Sequence, residues 1–417
     1  MGIANDLSWK GGAYMNRIIL HCDLNSFYAS VELLSHPEFR NIPAAVCGDP
    51  TSRHGIILAK NDPAKKFGIQ TAETIWQARK KCPELVLLPP HHALYREYSQ
   101  KVNAIYDEYT DLVEPFGIDE SWLDITHTLH LFGGDARALA DSLRSRIKRE
   151  FGLTLSIGVS FNKVFAKLGS DYRKPDATTV ISLENWREIV WPLPVGAMLY
   201  VGGAAQKILR KYGIETIGQL AACRRETLET LLGKLGGQLC DYANGLDDSP
   251  VRSRYEAEPV KSVGNGTTFP ENLTTRQQIT DGIAMLTDEV ASRLRHYGLY
   301  AGGIQVTVRN PEFHDRSRQR QFSAPTHLFR DLMGTAMELI NELWKPPSPV
   351  RLLRVTAINL VPADEAFEQV DLFSSTVNRE RQERLESTMA KIRDKYGSSS
   401  IAFGRTQRSE KKERDSQ

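Results

Sequence analysis

Cysteine is scarce in this 417-residue chain, and its five copies are scattered. No two of them form a C-x-x-C pair, so the sequence predicts neither a disulfide framework nor a cysteine-based zinc site. This usage is typical of proteins from a reducing compartment, and we therefore expect a cytoplasmic location. The five residues are Cys22, Cys47, Cys82, Cys223 and Cys240.

Long apolar runs are also missing. No segment approaches the ~18 apolar residues that a membrane-spanning helix needs, and the first residues lack the basic-then-apolar order of a secretory signal. A charge excess is absent too, since 53 basic residues face 51 acidic ones and the formal net charge is +2. This balance neither requires nor excludes a nucleic-acid partner, because the distribution of charge matters more than its sum.

The length exceeds the roughly 250–300 residues at which one hydrophobic core stops growing, so we expect several domains. Residues 1–14 are polar and are predicted to be a flexible leader. Strand-like and helical segments then alternate to about residue 181. Short helices broken by glycine follow over residues 182–248, and residues 249–259 have the composition of a linker.

The last part of the chain divides into an ordered and a polar segment. Residues 260–363 follow the order strand, helix, strand, strand, helix, strand, which predicts a compact α+β unit. Residues 364–417 are polar and strongly charged, and we expect most of them to be disordered. The predicted fold class is therefore a multidomain protein with α/β and α+β parts.

Carboxylates stand at two apolar segments. Asp23 ends the run RIILHCD, where a buried charge is costly unless it is paired or bound to a metal. Asp119 and Glu120 are adjacent in an apolar hairpin, and they repel one another unless a cation lies between them. Neighbours on a regular strand face opposite sides, so the backbone must turn or bulge for both to reach one site. Oxygen ligands of this kind suit Mg²⁺ or Mn²⁺.

Each of these signals alone has an ordinary structural explanation. An Asp at the end of a strand is most often a cap or turn residue, and a lone Asp-Glu pair is more often a solvated edge. Together, on two strands that could be neighbours, the three carboxylates predict a two-metal phosphoryl-transfer site.

Four parts of the chain together resemble the Y-family translesion DNA polymerases, in the bacterial DinB/UmuC branch. They are DLNSFYASVE, GIDESWLDI, SIGVSFNKVFAKLGSDYRKP and the C-terminal α+β unit, and the resemblance covers about residues 15–373. It implies template-directed DNA synthesis past damaged bases by a right-hand polymerase. The implied domains are a palm (15–26 and 91–181), fingers (27–90), a helix-hairpin-helix thumb (182–248) and a little finger (260–363).

The resemblance also implies the catalytic metal ligands. Asp23, Asp119 and Glu120 match the family's metal-binding carboxylates, and Leu24 matches a ligand position through its backbone carbonyl. Two Mg²⁺ ions are the implied cofactors, with Mn²⁺ able to substitute. One ion would activate the primer 3′-hydroxyl and the other would hold the triphosphate. Asn25 replaces a more usual Asp at a position that is not a main ligand.

The implied nucleotide site consists of Phe27, Tyr28, Lys65 and Lys174. Tyr28 matches the steric gate, a ring placed where a ribose 2′-hydroxyl would lie, although outside this motif it would be read as a core aromatic. Lys65 stands where many members have Arg, and a Lys cannot copy a bidentate guanidinium. Asp62 stands where many have Tyr. Because an acid repels a triphosphate, we expect Asp62 to point away or to contact Lys65.

Six positions match DNA contacts in the family. The two glycines lie in a helix-hairpin-helix turn, whose backbone N–H groups bind a phosphate without reading sequence. The two arginines are two residues apart and so share one face of a strand, although arginine on an edge strand can also serve only to prevent aggregation. We expect the Lys-Ser pair to open the strand that pairs with theirs. The positions are Gly202, Gly203, Lys261, Ser262, Arg318 and Arg320.

A short motif in the polar segment predicts a protein partner. Gln369, Leu372 and Phe373 match the Q-x-x-L-F pattern by which bacterial polymerases bind the sliding clamp. Two apolar anchors in a flexible segment suit insertion into a partner's pocket, although the same residues could be a last turn packed on the domain. The expected partners are thus primer–template DNA, dNTPs and the sliding clamp, for a monomer without membrane association.

Two other functions use parts of the same pattern. A nucleotide cyclase shares a palm-like sheet and two metals, but it would not need a thumb, a little finger or a clamp motif. A catalytically silent DNA-binding scaffold would not need the intact carboxylates. Primer extension with and without Mg²⁺ separates these possibilities from a polymerase.

Overall fold

The computed structural model describes residues 17–50, 55–256, 259–366, 376–397 and 400–401. The chain divides into two compact units, Met1–Ala257 and Glu258–Gln417. The predicted leader lies outside the described residues. Within the described ranges, no helix combines the length and the apolar character needed to cross a membrane.

The first unit contains two sheets and a set of short helices. Its strands are β1 (Ile19–Leu24), β2 (Ala44–Cys47), β3 (Ile57–Lys60), β4 (Val86–Leu88), β5 (Val113–Pro115), β6 (Glu120–Asp124), β7 (Leu155–Ser160) and β8 (Thr178–Ile181). Its α-helices are α1 (Phe27–Ser35), α2 (Asp62–Lys66), α3 (Ile75–Lys81), α4 (His92–Tyr106), α5 (Ala136–Phe151), α6 (Lys163–Tyr172), α7 (Trp186–Val190), α8 (Gly203–Lys211), α9 (Ile217–Ala222), α10 (Arg225–Leu232) and α11 (Lys234–Ala243). Short 3₁₀ helices lie at Pro37–Phe39, Leu129–Phe132 and Val195–Ala197.

The larger sheet has the strand order β5-β6-β1-β7-β8, and β1 pairs antiparallel with both of its neighbours. All six residues of β1 are buried. Leu20 packs in one core with Val102 of α4 and Leu143 of α5, whereas Ile19 packs on the other face with Ala166 of α6. Because both faces are covered, β1 reads in the sequence as a continuous apolar run without alternation.

The smaller sheet has the order β3-β2-β4, and α1 connects it to the larger one. Phe27 and Val31 of α1 lie in the core of the larger sheet. Ala29 and Leu33, on the other side of the same helix, lie in the core of the smaller sheet. A single helix of nine residues therefore fixes the position of one sheet relative to the other.

The short helices α7 to α11 form a helical module, as the glycine-broken sequence predicts, and it packs on Phe165 and Leu168 of α6. Their apolar residues converge on one core, which includes Leu209, Ile217, Leu228 and Leu239. These helices are short because caps and glycines interrupt them, for example the capping box of Thr216 at the start of α9.

The second unit is an α+β domain with the predicted element order. Its elements are β9 (Ser262–Leu273), α12 (Arg276–His296), β10 (Leu299–Arg309), β11 (Asp315–Thr326), α13 (Phe329–Leu343), β12 (Val350–Pro362) and α14 (Thr376–Tyr396). The antiparallel sheet has the order β11-β10-β12-β9. Apolar residues of β10 and β12, such as Ile304 and Val355, pack against Ile283 of α12 and Leu339 of α13.

The expectation that most of residues 364–417 are disordered is wrong for α14. This helix packs on the second unit through two ion pairs. Arg295 contacts Glu386, and Arg393 binds both carboxylate oxygens of Asp288, at 3.0 and 2.8 Å. Partly buried ion pairs replace the apolar stripe that would have marked the helix in the sequence.

Two glycines let α6 lie unusually close to the larger sheet. A Cβ on Gly158 of β7 would collide with the backbone of Ala166 and Ser170 in α6. A Cβ on Gly169 of α6 would lie 3.0 Å from the Cα of Gly158. The spacing between this helix and the sheet therefore depends on the absence of side chains at both positions.

We predict that Gly158→Ala lowers the melting temperature, because the new methyl group must displace backbone. The expected cost is about 3 kcal/mol, the upper end for overpacking. Gly334→Ala is the matched control, since a Cβ there would meet no atom within 4 Å in the middle of α13. Alanine should stabilise that helix by up to ~1 kcal/mol. Calorimetry of both variants is the measurement, and an unchanged melting temperature for Gly158→Ala would contradict the close approach.

Candidate active site

Two of the predicted carboxylates lie opposite one another across the larger sheet. Asp23 on β1 pairs in register with Glu120, the first residue of β6. Asp119 belongs to the bend before β6, and its carbonyl accepts a hydrogen bond from the Leu24 amide at 3.0 Å. The backbone therefore turns between the two adjacent acids, as the sequence requires if both are to face one site.

Two lysines of one segment neutralise these acids. Lys167 Nζ lies 3.0 Å from Asp23 Oδ2 and 2.7 Å from Glu120 Oε2. Lys174 Nζ lies 2.6 Å from Asp23 Oδ2. Asp171 contacts both ammonium groups, at 3.2 and 2.6 Å. The family motif predicts Lys174 but not Lys167, although Lys167 and Asp171 (i, i+4) share one face of α6.

The acids differ in their affinity for protons. Burial, together with the nearby charges of Asp23 and Glu120, raises the pKa of Asp119 to about 6. Burial also acts to raise the pKa of Glu120, but its contacts with His21 and with the Lys167 ammonium outweigh it and bring that pKa to about 2. The site therefore carries more negative charge than its lysines neutralise, and the excess falls on Asp119.

His21 lies beneath the carboxylates and was missed by the sequence analysis. Its ring is fully buried, with Nε2 3.2 Å from Glu120 Oε2 and Nδ1 2.8 Å from the Ser170 hydroxyl. Burial lowers the pKa of His21, so the neutral ring is favoured. One ligand atom from each of His21, Asp23 and Glu120 falls within 4.8 Å of the others. The signal in the sequence is that His21 is a polar residue within the apolar run RIILHCD.

The acids open onto a cleft of about 490 Å³ between the two sheets of the first unit. All the residues predicted to bind metal or nucleotide line it. Residues of β3 and the loop after α2, among them Lys60 and Thr71, form the opposite wall. The predicted lining residues are Asp23, Leu24, Phe27, Tyr28, Lys65, Asp119, Glu120 and Lys174.

The ring of Tyr28 is held by a stack of side chains. It lies parallel to the ring of Tyr95 in α4, with centroids 4.0 Å apart and an interplanar angle of 16°. The Tyr95 hydroxyl donates to the buried carboxylate of Glu32, which also accepts from the His91 amide at 3.3 Å. Tyr28 therefore faces the cleft on a fixed support. No sequence pattern indicates Tyr95, because this contact joins α1 to α4.

The expected contact between Asp62 and Lys65 is confirmed. Lys65 Nζ lies 2.8 Å from Asp62 Oδ1, one turn apart on α2. The Asn61 side chain caps this helix by accepting from the Ala64 amide at 3.1 Å. The acid at the unusual position therefore neutralises its own neighbour, and both side chains remain substantially exposed.

The two glycines predicted to contact DNA lie at the start of α8. Gly202 is the N-cap and Gly203 the first helical residue. A Cβ on either would meet no atom within 4 Å, so packing inside the protein does not demand glycine at these positions. An open, side-chain-free helix start suits close approach by a phosphate group.

The predicted arginines of the second unit share one face of β11, as their spacing requires. Register pairs Arg320 with the buried Ile304, so this is the face that carries the helices. Arg320 is bound by two acids of α13, Glu338 and Glu342. Arg318 is exposed on the same edge strand. Exposed ion pairs of this kind are weak, so the guanidinium of Arg320 is available to a competing anion.

The expectation that the strand opened by Lys261 and Ser262 pairs with the arginine strand is wrong. Ser262 begins β9, which lies at the opposite edge of the sheet from β11. The strands β10 and β12 separate the two edges. Order along the chain suggested neighbours, but β12 returns from the end of the domain to lie between β9 and β10.

The clamp motif, Gln369, Leu372 and Phe373, lies outside the described residues. Its role stays a prediction.

Comparison with known proteins gives the same result for both units. Residues 22–171 match the impB/mucB/samB family, and residues 260–372 match the C-terminal domain of that family. The chain is 44% identical to DNA polymerase IV of Acetivibrio thermocellus over 390 residues, which are 94% of this chain and 97% of the relative. It is 37% identical to DNA polymerase IV 1 of Bacillus subtilis over 397 residues, 95% of this chain and 94% of the relative.

A solved structure has a similar fold. A Y-family DNA polymerase chimera aligns with a TM-score of 0.74 at 22% identity, covering 83% of this chain and 99% of the chimera. The predicted fold class, with palm, fingers, helical thumb and α+β little finger, is thereby confirmed. With both family domains present and close relatives matched over nearly their whole length, the chain belongs to the Y family of DNA polymerases, in the bacterial DinB-like group of DNA polymerase IV.

Proposed function

We propose that this chain synthesises DNA by template-directed nucleotidyl transfer, joining dNTPs to a primer 3′-hydroxyl with low fidelity and past damaged template bases. One observation carries the proposal. Asp23, Asp119 and Glu120 line a single cleft together with Tyr28 and Lys174. Nucleotide addition needs such acids for metal, a cation for the triphosphate and a ring beside the sugar, and family membership supports this assignment.

The donors of the cleft fit two Mg²⁺ ions, which Mn²⁺ can replace. Asp23, Asp119 and Glu120 offer carboxylate oxygens, Leu24 offers a backbone carbonyl, and these ions prefer hard oxygen donors. The pKa of Asp119 is raised by burial and by the charges of Asp23 and Glu120, and a divalent cation beside these acids would offset their mutual repulsion. When bound, the ions would lower the pKa of the primer hydroxyl and stabilise charge on the departing pyrophosphate.

The lysines of the cleft have separate tasks. Lys167 is the most buried of them and contacts both Asp23 and Glu120, so we assign it to fixing their oxygens. Lys174 is about twice as exposed and can turn toward a phosphate. Lys65 stands on the fingers side of the cleft, and its exposed partner Asp62 holds it only weakly. A triphosphate carries more charge than Asp62 and would displace it.

The ring of Tyr28 would exclude ribonucleotides. It stacks on Tyr95 and cannot retreat without breaking that contact, while the buried Phe27 fixes the start of α1 beside it. A ribose 2′-hydroxyl would therefore clash with the Tyr28 ring, because the stacked ring cannot move away.

Contacts with the DNA backbone would hold the primer–template without reading its sequence. The candidates lie in the thumb and the little finger: Gly202, Gly203, Lys261, Ser262, Arg318 and Arg320. We place the activity in the cytoplasm, in a monomer that the sliding clamp recruits.

Asp119→Asn tests the catalytic assignment. Loss of this ligand should lower primer extension by about 100-fold or more, since a metal ion supplies several kcal/mol of transition-state stabilisation. The same variant should be more stable than the wild type without metal at pH 7. The ionised carboxylate is disfavoured in the folded state, and each pKa unit corresponds to about 1.4 kcal/mol.

The stability difference between Asp119→Asn and the wild type should depend on pH. The folded pKa of Asp119 is about 6, above its ordinary value of 3.8. The wild type therefore loses stability as pH rises from about 4 past 6, and the variant escapes this loss. Thermal melts at pH 4 and pH 7 should differ accordingly. Asp171→Asn is the control, because it removes an exposed acid from the same lysines and should extend primers. Normal extension by Asp119→Asn would overturn the assignment.

Tyr28→Ala should raise ribonucleotide incorporation relative to dNTP incorporation by about 10- to 100-fold, the equivalent of a 1–3 kcal/mol packing clash removed. Tyr28→Phe keeps the ring and should behave as the wild type. Single-nucleotide extension with matched ribo- and deoxynucleotides is the measurement. If Tyr28→Ala still excludes ribonucleotides, the gate lies elsewhere.

Replacement of Leu372 and Phe373 by Ala should leave extension of a short primer unchanged and remove stimulation by the clamp. A tethered polymerase rebinds the primer end intramolecularly, which can raise avidity ~10²–10⁴-fold without new DNA contacts. Synthesis on a long clamp-loaded template measures the effect, with Gln369→Ala expected to be milder. Stimulation that survives the double substitution would refute the motif.

A further inference from the structure

An exposed tryptophan stands on helix α3, which packs with the smaller sheet of the first unit. Trp76 in α3 is 72% exposed. Trp122, Trp186 and Trp344, by contrast, are buried in the cores of their domains. A single exposed hydrophobic residue is ordinary on a protein surface, but a tryptophan ring offers a flat face on which another ring can stack.

A cation accompanies the ring. Lys80 lies one turn further along α3, and its Nζ is 5.6 Å from the centre of the Trp76 ring. The surrounding sequence is basic as well, since residues 60–81 contain six Lys or Arg and two acidic residues. An aromatic face beside clustered cations is the composition of surfaces that bind single-stranded nucleic acid, where bases stack and phosphates find positive charge.

The backbone that carries this ring is hydrogen-bonded next to the cleft. Thr71 lines the cleft and accepts a hydrogen bond from Lys60 at 3.0 Å. From there the chain runs along β3: the Ala72 amide donates to the Ile57 carbonyl at 2.8 Å, and the Ile75 amide donates to the Gly55 carbonyl at 3.1 Å. Trp76 follows directly. Trp76 is five positions after Thr71, so the Cα atoms of the two residues are at most about 18 Å apart.

We infer that Trp76 and Lys80 form a stacking platform for the unpaired template strand on its way into the cleft. The inference rests on the proposed function, which requires such a strand. A duplex hides the faces of its bases inside the helix, so a ring can stack only on unpaired nucleotides. The cations around the ring favour a polyanion over an apolar protein surface as the occupant.

Binding of two primer–templates to the full-length protein tests the inference. One substrate has a 5′ template overhang of about ten nucleotides, within the usual site size for single strands. The other has the same duplex and a single-nucleotide overhang. Trp76→Ala should weaken binding of the long overhang by about 5- to 100-fold, the range found when a stacking aromatic is removed. It should leave the short overhang unchanged.

Three further variants separate stacking from general damage. Trp76→Phe keeps an aromatic face and should retain most of the affinity. Lys80→Ala should reduce the salt dependence of long-overhang binding by one phosphate contact. Tyr255→Ala is the matched control, since this tyrosine is 73% exposed with Arg254 5.0 Å from its ring centre. It should bind both substrates as the wild type does.

Fluorescence gives a second readout. The emission that disappears in Trp76→Phe should be quenched in the wild type by the long overhang and not by the short one. Equal affinity of Trp76→Ala and wild type for the long overhang would overturn the inference and point to a protein occupant instead. Failure of the proposed function would be a different result. A wild-type protein that extends no primer contradicts the proposed function, whatever affinities the Trp76 variants show.

Discussion

The mutual repulsion of three carboxylates is the constraint on which the active site depends. Asp23 and Glu120 meet because β1 and β6 pair in register, and Asp119 adds a third charge from the bend beside them. Such a group is stable only with compensating cations. Lys167 and Lys174 supply part of the compensation, but both contact Asp23, and these two lysines also face Asp171, so the acids outnumber them. This unsatisfied charge is what prepares the site for metal.

Whether the sequence predicts a contact in this site depends on how far apart along the chain the two residues lie. Asp62 and Lys65 are one turn apart, so simple charge logic predicted their contact. The role of His21 beneath Glu120 depends on the register of β1 with β6 and on α6 behind them, which no periodicity reveals. The same limit explains the error over β9 and β11. Their strands are easy to recognise, but their order in the sheet follows from how β12 folds back.

The error over the polar tail has a different cause. Disorder is inferred from a lack of apolar surface to bury, and α14 is indeed strongly polar. Its attachment relies on Glu386 and Met389, both buried, and on the pairing of Arg393 with Asp288. Burial of a charged side chain is favourable only when an oppositely charged partner lies beside it. That partner is supplied by α12 across more than ninety residues of sequence, so the helix cannot be recognised from its own composition.

Helix α1 connects the smaller sheet to the residues of the cleft. Its residues alternate between two cores, with Val31 in that of the palm and Leu33 in that of the fingers. Tyr28 lies between them and contacts both cores. Any movement of the smaller sheet would therefore act on the helix that carries Tyr28. The cations of the cleft also belong to different sheets. Lys167 is on α6, which Gly158 allows to lie close to the larger sheet, whereas Lys65 is exposed beside the smaller sheet. A nucleotide bound between them would contact both sheets of the first unit, so its position would depend on the helix α1 that joins them.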